Sequence, residues 1–347
     1  MTLNQNKLQS VLDKAIDNKK IFGTSFYIKY KGETWNGCSG NIEKDRQFFI
    51  ASTSKLFTTA VILNLISQGK LGFNDKIHSY LDQDIMHKLH VFKGTDYSDI
   101  LTITHLLAHT SGLSDYFLQK DENGNSIVSE ITIGKYRYLP FEEIIRYSKS
   151  LDQLFAPGTK GKAYYSDTNY QLLGKIIENI TGKNMSENYN ELIIKPLNLN
   201  YTYLYTDIND QKPMTLYFKD KELHIPKAMS SFGPDGGVVS TSGETMTFLE
   251  AFFSGKLFPA NYIDGLKKWN KIFFPMQSGV GIHRFRLPWI FDPFRKIPDL
   301  IGHSGLSGAL AFYSPERDLY ITGTVNQTAY NDLSFKVSIK LIQEVIK

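Results

Sequence analysis

Ser52 and Lys55, in the run Ser52-Thr53-Ser54-Lys55, are the first residues along this 347-residue chain whose types and spacing suggest chemistry. On a helix, positions i and i+3 lie on one face about a turn apart. At a helix start, the macrodipole and free backbone N–H groups favour negative charge developing on a serine or on a bound carbonyl oxygen. A neighbouring lysine lowers the cost of forming an alkoxide and, if desolvated, can itself accept the proton. Ser67-Gln68-Gly69-Lys70 fits the same pattern, but it falls at the far end of the same expected helix, where Gly69 is placed to terminate it. There the dipole has the wrong sign for an oxyanion, so position selects Ser52. Two further polar clusters stand downstream: Tyr165-Ser166-Asp167 in "AYYSDTNYQLLG" and His303-Ser304-Gly305 in "IGHSGLSGALAFYSP".

The elements that must position these residues follow from apolar periodicity. A helix is expected over Lys7–Asn18, strands over Thr24–Tyr30 and Glu33–Cys38, and a long helix over Ser52–Gln68 whose apolar residues cover nearly its whole circumference. Such a helix is buried on most sides and central to a fold. From Leu71 to Tyr203 the pattern is mainly helical, with helices expected at Thr104–Ala108, Phe141–Ser148, Thr168–Thr181 and Ser186–Ile194. The last third reads as strands: Met214–Phe218, Leu223–Ile225, Gly279–Leu287, Asp299–Gly302, and a hairpin of Gly308–Tyr313 with Asp318–Val325. A closing helix is expected over Asn331–Ile346. This order predicts an α+β fold, an antiparallel sheet flanked by N- and C-terminal helices with a mostly helical domain inserted. The expected division is residues 1–72 plus 213–347 for the sheet domain and 73–212 for the helical one, with the site in the cleft between them.

Taken together, Ser52-x-x-Lys55, Tyr165-Ser166-Asp167 and His303-Ser304-Gly305, separated by 113 and 138 residues, resemble the serine β-lactamase and penicillin-binding-protein superfamily. The class C β-lactamase-like branch, with its esterases, D-aminopeptidases and D,D-carboxypeptidases, is the nearest match. "LTITHLLAHTSGLSDY", Pro157-Gly158 and "GPDGGVVST" support it, and the resemblance spans roughly residues 20–345. It implies the β-lactamase/transpeptidase-like fold, a metal-free and cofactor-free mechanism, and an acyl-enzyme. Ser52 would be the acylated nucleophile, Lys55 its activating partner, and Tyr165 the base that later protonates the leaving group. His303, Ser304 and Gly305 would lie on a strand lining the cleft. The backbone N–H groups of Ser52 and Leu306 would form the oxyanion hole.

Two positions depart from the family pattern. Asp167 stands where asparagine is usual, and a carboxylate beside Lys55 would hold that lysine charged and shift the burden to Tyr165. A charged Lys55 would in turn lower the Tyr165 pKa. Asp167 also reads as the N-cap of the helix from Thr168. His303 stands where β-lactamases and penicillin-binding proteins commonly carry lysine. A neutral imidazole attracts a substrate carboxylate less than an ammonium does, which points toward neutral esters or amides. The expected activity is therefore that of a serine hydrolase on a small ester, amide or peptide. A D-stereospecific peptidase or weak β-lactamase is the alternative, and a non-catalytic acylatable sensor is a third reading.

Composition narrows the field further. The 39 Lys plus Arg against 35 Asp plus Glu leave a net charge of +4, too mild to imply a nucleic-acid partner. Cys38 is the single cysteine, which excludes an internal disulfide and a Cys-rich zinc site, and it reads as a small buried or half-buried filler. Met1–Lys20 lacks a continuous apolar core and Leu56–Ile66 is too short to span a bilayer, so the expectation is a cytoplasmic protein with no membrane segment and an open oligomeric state. His105-x-x-x-His109 lacks the glutamate of a His-Glu-x-x-His zinc site, and His87-x-x-His90 has no partner ligand, so both pairs read as structural. Gly-x-Ser-x-Gly and Walker sequences do not occur. Aromatics make up 13% of the chain, and Phe273–Phe294 gathers Phe273, Phe274, Phe285, Trp289, Phe291 and Phe294 among Arg284, Arg286 and Arg295. This stretch reads either as strand and loop packing or as an apolar cleft wall.

Overall fold

In the computed structural model, which describes residues 3–290, 297–330 and 332–347, Asn4 caps the first helix by accepting from the Lys7 amide at 3.0 Å. This helix, α1 (Gln5–Asp13), ends earlier than its periodicity predicts, because the Asp17 carboxylate gathers the amides of Lys19, Lys20 and Ile21 into a turn. Strands β1 (Gly23–Tyr30) and β2 (Glu33–Gly40) follow as a hairpin. Its two-residue turn, Lys31-Gly32, takes φ of 48° and 85°, the left-handed pair that matches strand twist.

The central helix α2 (Lys55–Ser67) is buried along ten of its residues, from Lys55 to Leu63 and at Leu65. It packs with α3 (Asp167–Thr181) in the largest apolar cluster, which also takes in Leu101–Leu113 and Phe248–Phe252 side chains. One core therefore runs through both of the segments expected as separate domains.

The last third differs from the sequence expectation. Helices α4 (Pro226–Gly236, kinked at Gly233) and α5 (Ser242–Ser254) occupy the stretch between the expected strands Leu223–Ile225 and Gly279–Leu287, where no helix was expected. Pro226 at the first turn starts one, while the Thr241 cap and left-handed Gly255 delimit the other. The expected strand Leu223–Ile225 is observed as Lys221–Leu223, with Ile225 preceding α4. The single strand expected over Gly279–Leu287 is split. After β3 (Asn270–Lys271), β4 (Met276–Ser278) and β5 (His283–Phe285) flank a turn in which Gly281 takes φ of 75° and donates to the Leu107 carbonyl at 2.9 Å. Then come β6 (Leu300–Ser304), β7 (Ala309–Ser314), β8 (Leu319–Thr324) and α6 (Leu333–Val345). Phe291, Phe294 and Arg295 of the aromatic stretch, and Asn331 before the last helix, lie outside the described residues.

The eight strands form one antiparallel sheet in the order β3-β4-β5-β6-β7-β8-β1-β2, so the N-terminal strand lies between its hairpin partner and the last strand. Helices α1 and α6 cover one face through Leu8, Leu12, Val337 and Leu341 against Phe26, Ile28, Phe312 and Ile321. On the other face, α5 is pinned by Thr322 Oγ1 donating to the Ser242 carbonyl at 2.8 Å. Among the described residues no helix is long and apolar enough to cross a membrane.

Candidate active site

Ser52 does not open the central helix. It sits in the 3-10 turn Ala51–Ser54 just before α2, and Lys55 is the first α-helical residue, its amide reaching back to the Ser52 carbonyl. Ala51 takes φ of 45°, a left-handed conformation that costs a side-chain-bearing residue about 1–2 kcal/mol. The neighbouring strand holds it there: Ile50 N donates to the Val238 carbonyl at 3.0 Å, and Val238 N donates to Ser54 Oγ at 3.0 Å. From the opposite side, Gly305 lies so close that a Cβ there would stand 2.3 Å from the Ile50 carbonyl oxygen and 3.1 Å from Ser52 N. The turn after β6 therefore rests on the Ser52 backbone, and Leu306 borders the same pocket as Ser52.

Lys55 is fully buried and ion-paired to Asp167, and its ammonium also donates to the Asp235 carbonyl at 2.6 Å. The expected helix boundary shifts by one residue. Ser166 occupies the cap position, Asp167 is the first helical residue, and its carboxylate goes to Lys55 rather than capping. Two further buried acids surround this pair. Asp115 accepts from the Asp167 amide at 3.1 Å, and Asp235 Oδ2 accepts from Tyr116 Oη at 2.8 Å and Gln171 Nε2 at 3.0 Å. Burial, then the Asp167 charge, pushes Asp115 well above the usual carboxylate range and Asp235 up to about 7. Three carboxyls around one ammonium cannot all ionise cheaply, so protons remain in the cluster.

Tyr165 meets the Ser52 hydroxyl, and the Lys55 ammonium lies 5.2 Å from its ring centre. The expected lowering of its pKa is not what the structure shows. Burial and the Asp167 charge push the phenol well above its ordinary range, and only the Ser52 hydrogen bond favours the phenolate. The reason is charge balance: the carboxylate that pairs with Lys55 also faces the phenol. Around Tyr165 stand three imidazoles. His109 stacks on it at 4.7 Å, His283 meets it edge-on at 5.8 Å, and His303 lies 6.3 Å away, itself stacked on His283 at 3.9 Å. His303 Nδ1 donates to the Ser304 carbonyl at 2.8 Å, which leaves Nε2 as an acceptor. His109 Nδ1 accepts from the Ser166 amide at 3.1 Å, which places its proton on Nε2. Burial holds His303 and His109 well below the usual imidazole range and His283 at about 3. All three are neutral at neutral pH, and Phe273 adds an edge-on contact to Tyr165 at 6.0 Å.

The structure thus brings Ser52, Lys55, Tyr165, Asp167 and His303 into one site, with Ser304, Gly305 and Leu306 continuing from β6 beside Ser52. Sequence reasoning did not single out Asp115, Asp235 or His283, and it assigned His109 a structural part. Asp115, His109 and Asp235 lie in the stretches "LTITHLLAHTSGLSDY" and "GPDGGVVST", so motif context was the available signal. His283 carried none. The arrangement can present a hydroxyl to a carbonyl carbon, move its proton through a phenol, and offer backbone N–H groups to an oxyanion.

Comparison with known proteins adds to this geometry. The profile of the family described as Beta-lactamase matches residues 8–338. The chain is 30% identical over 223 residues to an N-acetylmuramyl-L-alanine amidase of Bacillus subtilis, covering 64% of this chain but 45% of that protein. It is 24% identical over 301 residues to the D-alanyl-D-alanine-carboxypeptidase/endopeptidase AmpH of Escherichia coli, covering 84% of this chain and 73% of that one. A D-stereospecific amidohydrolase from Streptomyces sp. shares the fold with a TM-score of 0.80 at 22% identity, over 98% of both chains.

Proposed function

The chain belongs to the beta-lactamase family, and from that premise we propose that it is a metal-free serine hydrolase acting on small neutral esters or amides through an acyl-enzyme on Ser52. The observation that carries the reading is the seat of Ser52: a left-handed Ala51 before it, buried Lys55 paired to Asp167 after it, and the Tyr165 phenol on its hydroxyl. Ser52 Oγ attacks the carbonyl carbon as its proton passes to the Tyr165 oxygen, and because Tyr165 rests protonated the phenol's own proton moves on toward the leaving atom. The amides of Ser52 and Leu306 take the oxyanion. Tyr165 then delivers the proton to the leaving oxygen or nitrogen as its bond to carbon breaks. Water repeats the sequence on the ester to Ser52 and releases the acid. Lys55, held by Asp167 and the Asp235 carbonyl, places its ammonium beside the Tyr165 ring and offsets part of the negative charge that the phenol carries during the relay.

A D-stereospecific peptidase is the second reading, supported by the carboxypeptidase and amidohydrolase among its relatives. Neutral, buried His303 weighs against substrates that need a cation for a terminal carboxylate. The test is a fluorophosphonate probe on wild type and Ser52→Ala, followed by a panel of p-nitrophenyl esters, D-amino-acid amides, D-Ala-D-Ala peptides and cephalosporins. Wild type labels, Ser52→Ala does not, and esters or amides turn over fastest. A folded wild type that resists labelling overturns the hydrolase reading.

A further inference from the structure

A cavity of about 280 Å³ opens beside Ser52 and Leu306, and its chemistry narrows what the site accepts. Phe117, Ile131, Leu216, Met229 and Phe232 line it, and the Phe117 and Phe232 rings meet edge-on at 5.2 Å. Among the described residues the charged ones lining it are Asp167 and Asp235, with no lysine or arginine. Both acids already have partners, Asp167 in Lys55 and Asp235 in Tyr116 and Gln171.

We propose that this cavity is the subsite for an uncharged apolar acyl group, an alkyl chain or an aromatic ring, carried on the substrate's carbonyl. The proposal rests on the Ser52 hydrolase reading and names its substrate class. An apolar cavity of about 150 Å³ holds a benzene molecule, so this one accepts more than a phenyl ring. An apolar group entering it leaves water without disturbing the pairings of Asp167 and Asp235. A carboxylate entering it loses its hydration, meets no cation, and faces two acids. Anionic acyl groups are thereby refused at the same surface that attracts neutral ones.

Chain-length selectivity tests this. With p-nitrophenyl acetate, butyrate and octanoate, kcat/KM of the wild type rises about three- to fourfold per added methylene until the cavity is full. The p-nitrophenyl hemisuccinate is turned over at least tenfold more slowly than the butyrate. Val128, half-buried on the cavity rim, gives the discriminating variant: Val128→Trp lowers the octanoate-to-acetate ratio at least tenfold, with circular dichroism reporting the fold. A flat chain-length profile, a hemisuccinate as good as butyrate, or equal loss on acetate and octanoate overturns the assignment. A binding arm reads the cavity without turnover. Ser52→Ala titrated with 1-octanol and with octanoate binds the alcohol at least tenfold more tightly, and equal binding of the two also overturns it. Should wild type hydrolyse no ester while Ser52→Ala still prefers octanol, the hydrolase reading falls and the apolar cavity stands.

Discussion

Asp235→Asn separates the protonation of the buried acid cluster from its hydrogen bonding. Asp235 is 4% exposed, and its carboxyl rises from an ordinary value of 3.8 to about 7 through burial and the Asp167 charge. Between those two values the folded chain holds a proton that the unfolded chain has released. The contribution of this group is therefore fully present below about pH 4 and is lost as pH rises through about 7, at roughly 1.4 kcal/mol per pH unit. From pH 5 to pH 8 the loss comes to about 2–3 kcal/mol. Asparagine keeps an oxygen for Tyr116 and Gln171 but does not titrate, so this component disappears. Urea unfolding at pH 5 and pH 8 yields four stabilities, and the double difference is the measurement. The variant gains about 2–3 kcal/mol on wild type as pH rises across that interval. Parallel pH profiles, agreeing within about 0.5 kcal/mol, would refute a proton held at Asp235 and with it the picture of an acid cluster in excess of its cation.

Asp167→Asn retains hydrolysis within about tenfold of wild type, since Lys55 keeps the Asp235 carbonyl and the Asp115 and Asp235 carboxyls remain to balance its charge; a folded variant without measurable kcat would contradict this. Gly305→Ala drives a methyl toward the Ile50 carbonyl and Ser52 N, and kcat/KM on p-nitrophenyl butyrate falls by about 10²–10³, the cost of one misplaced oxyanion donor. Unchanged kinetics would show that this turn does not set the oxyanion geometry. His303→Lys places an ammonium among His283, His109 and Lys55 with no carboxylate facing it, costs about 3–5 kcal/mol in urea unfolding, and confers no penicillin turnover.

Ser52, Lys55, Tyr165 and His303 were legible in the sequence because short motifs and their order carry them, and the central helix was legible because it is apolar all round. Asp115, Asp235 and His283 matter through where the chain brings them, and nothing in local spacing reports contacts such as Asp115 with Asp167 or Asp235 with Tyr116. Helix α5 was a different miss. Thr241, Glu244 and Gly255 are ordinary start and stop signals, and Met246, Phe248, Leu249 and Phe252 recur at helical spacing. No element was expected between Ile225 and Gly279, so these signals went unused. For Tyr165 the residues were identified and the sign of the pKa shift was wrong, since the same carboxylate neutralises the lysine and repels the phenolate.

The position of β1 inside the sheet has a bearing on biosynthesis. Ile28 pairs with Ile321, so one hydrogen-bonding edge of β1 stays open until β8 has left the ribosome. At ordinary translation speeds that wait is about 15–60 s. During it the hairpin of β1 and β2 is an exposed template for wrong pairing, and the Ser52 turn has no β6–β7 turn to rest against. The seat of Ser52 is thus completed only once β6 and β7 have been made.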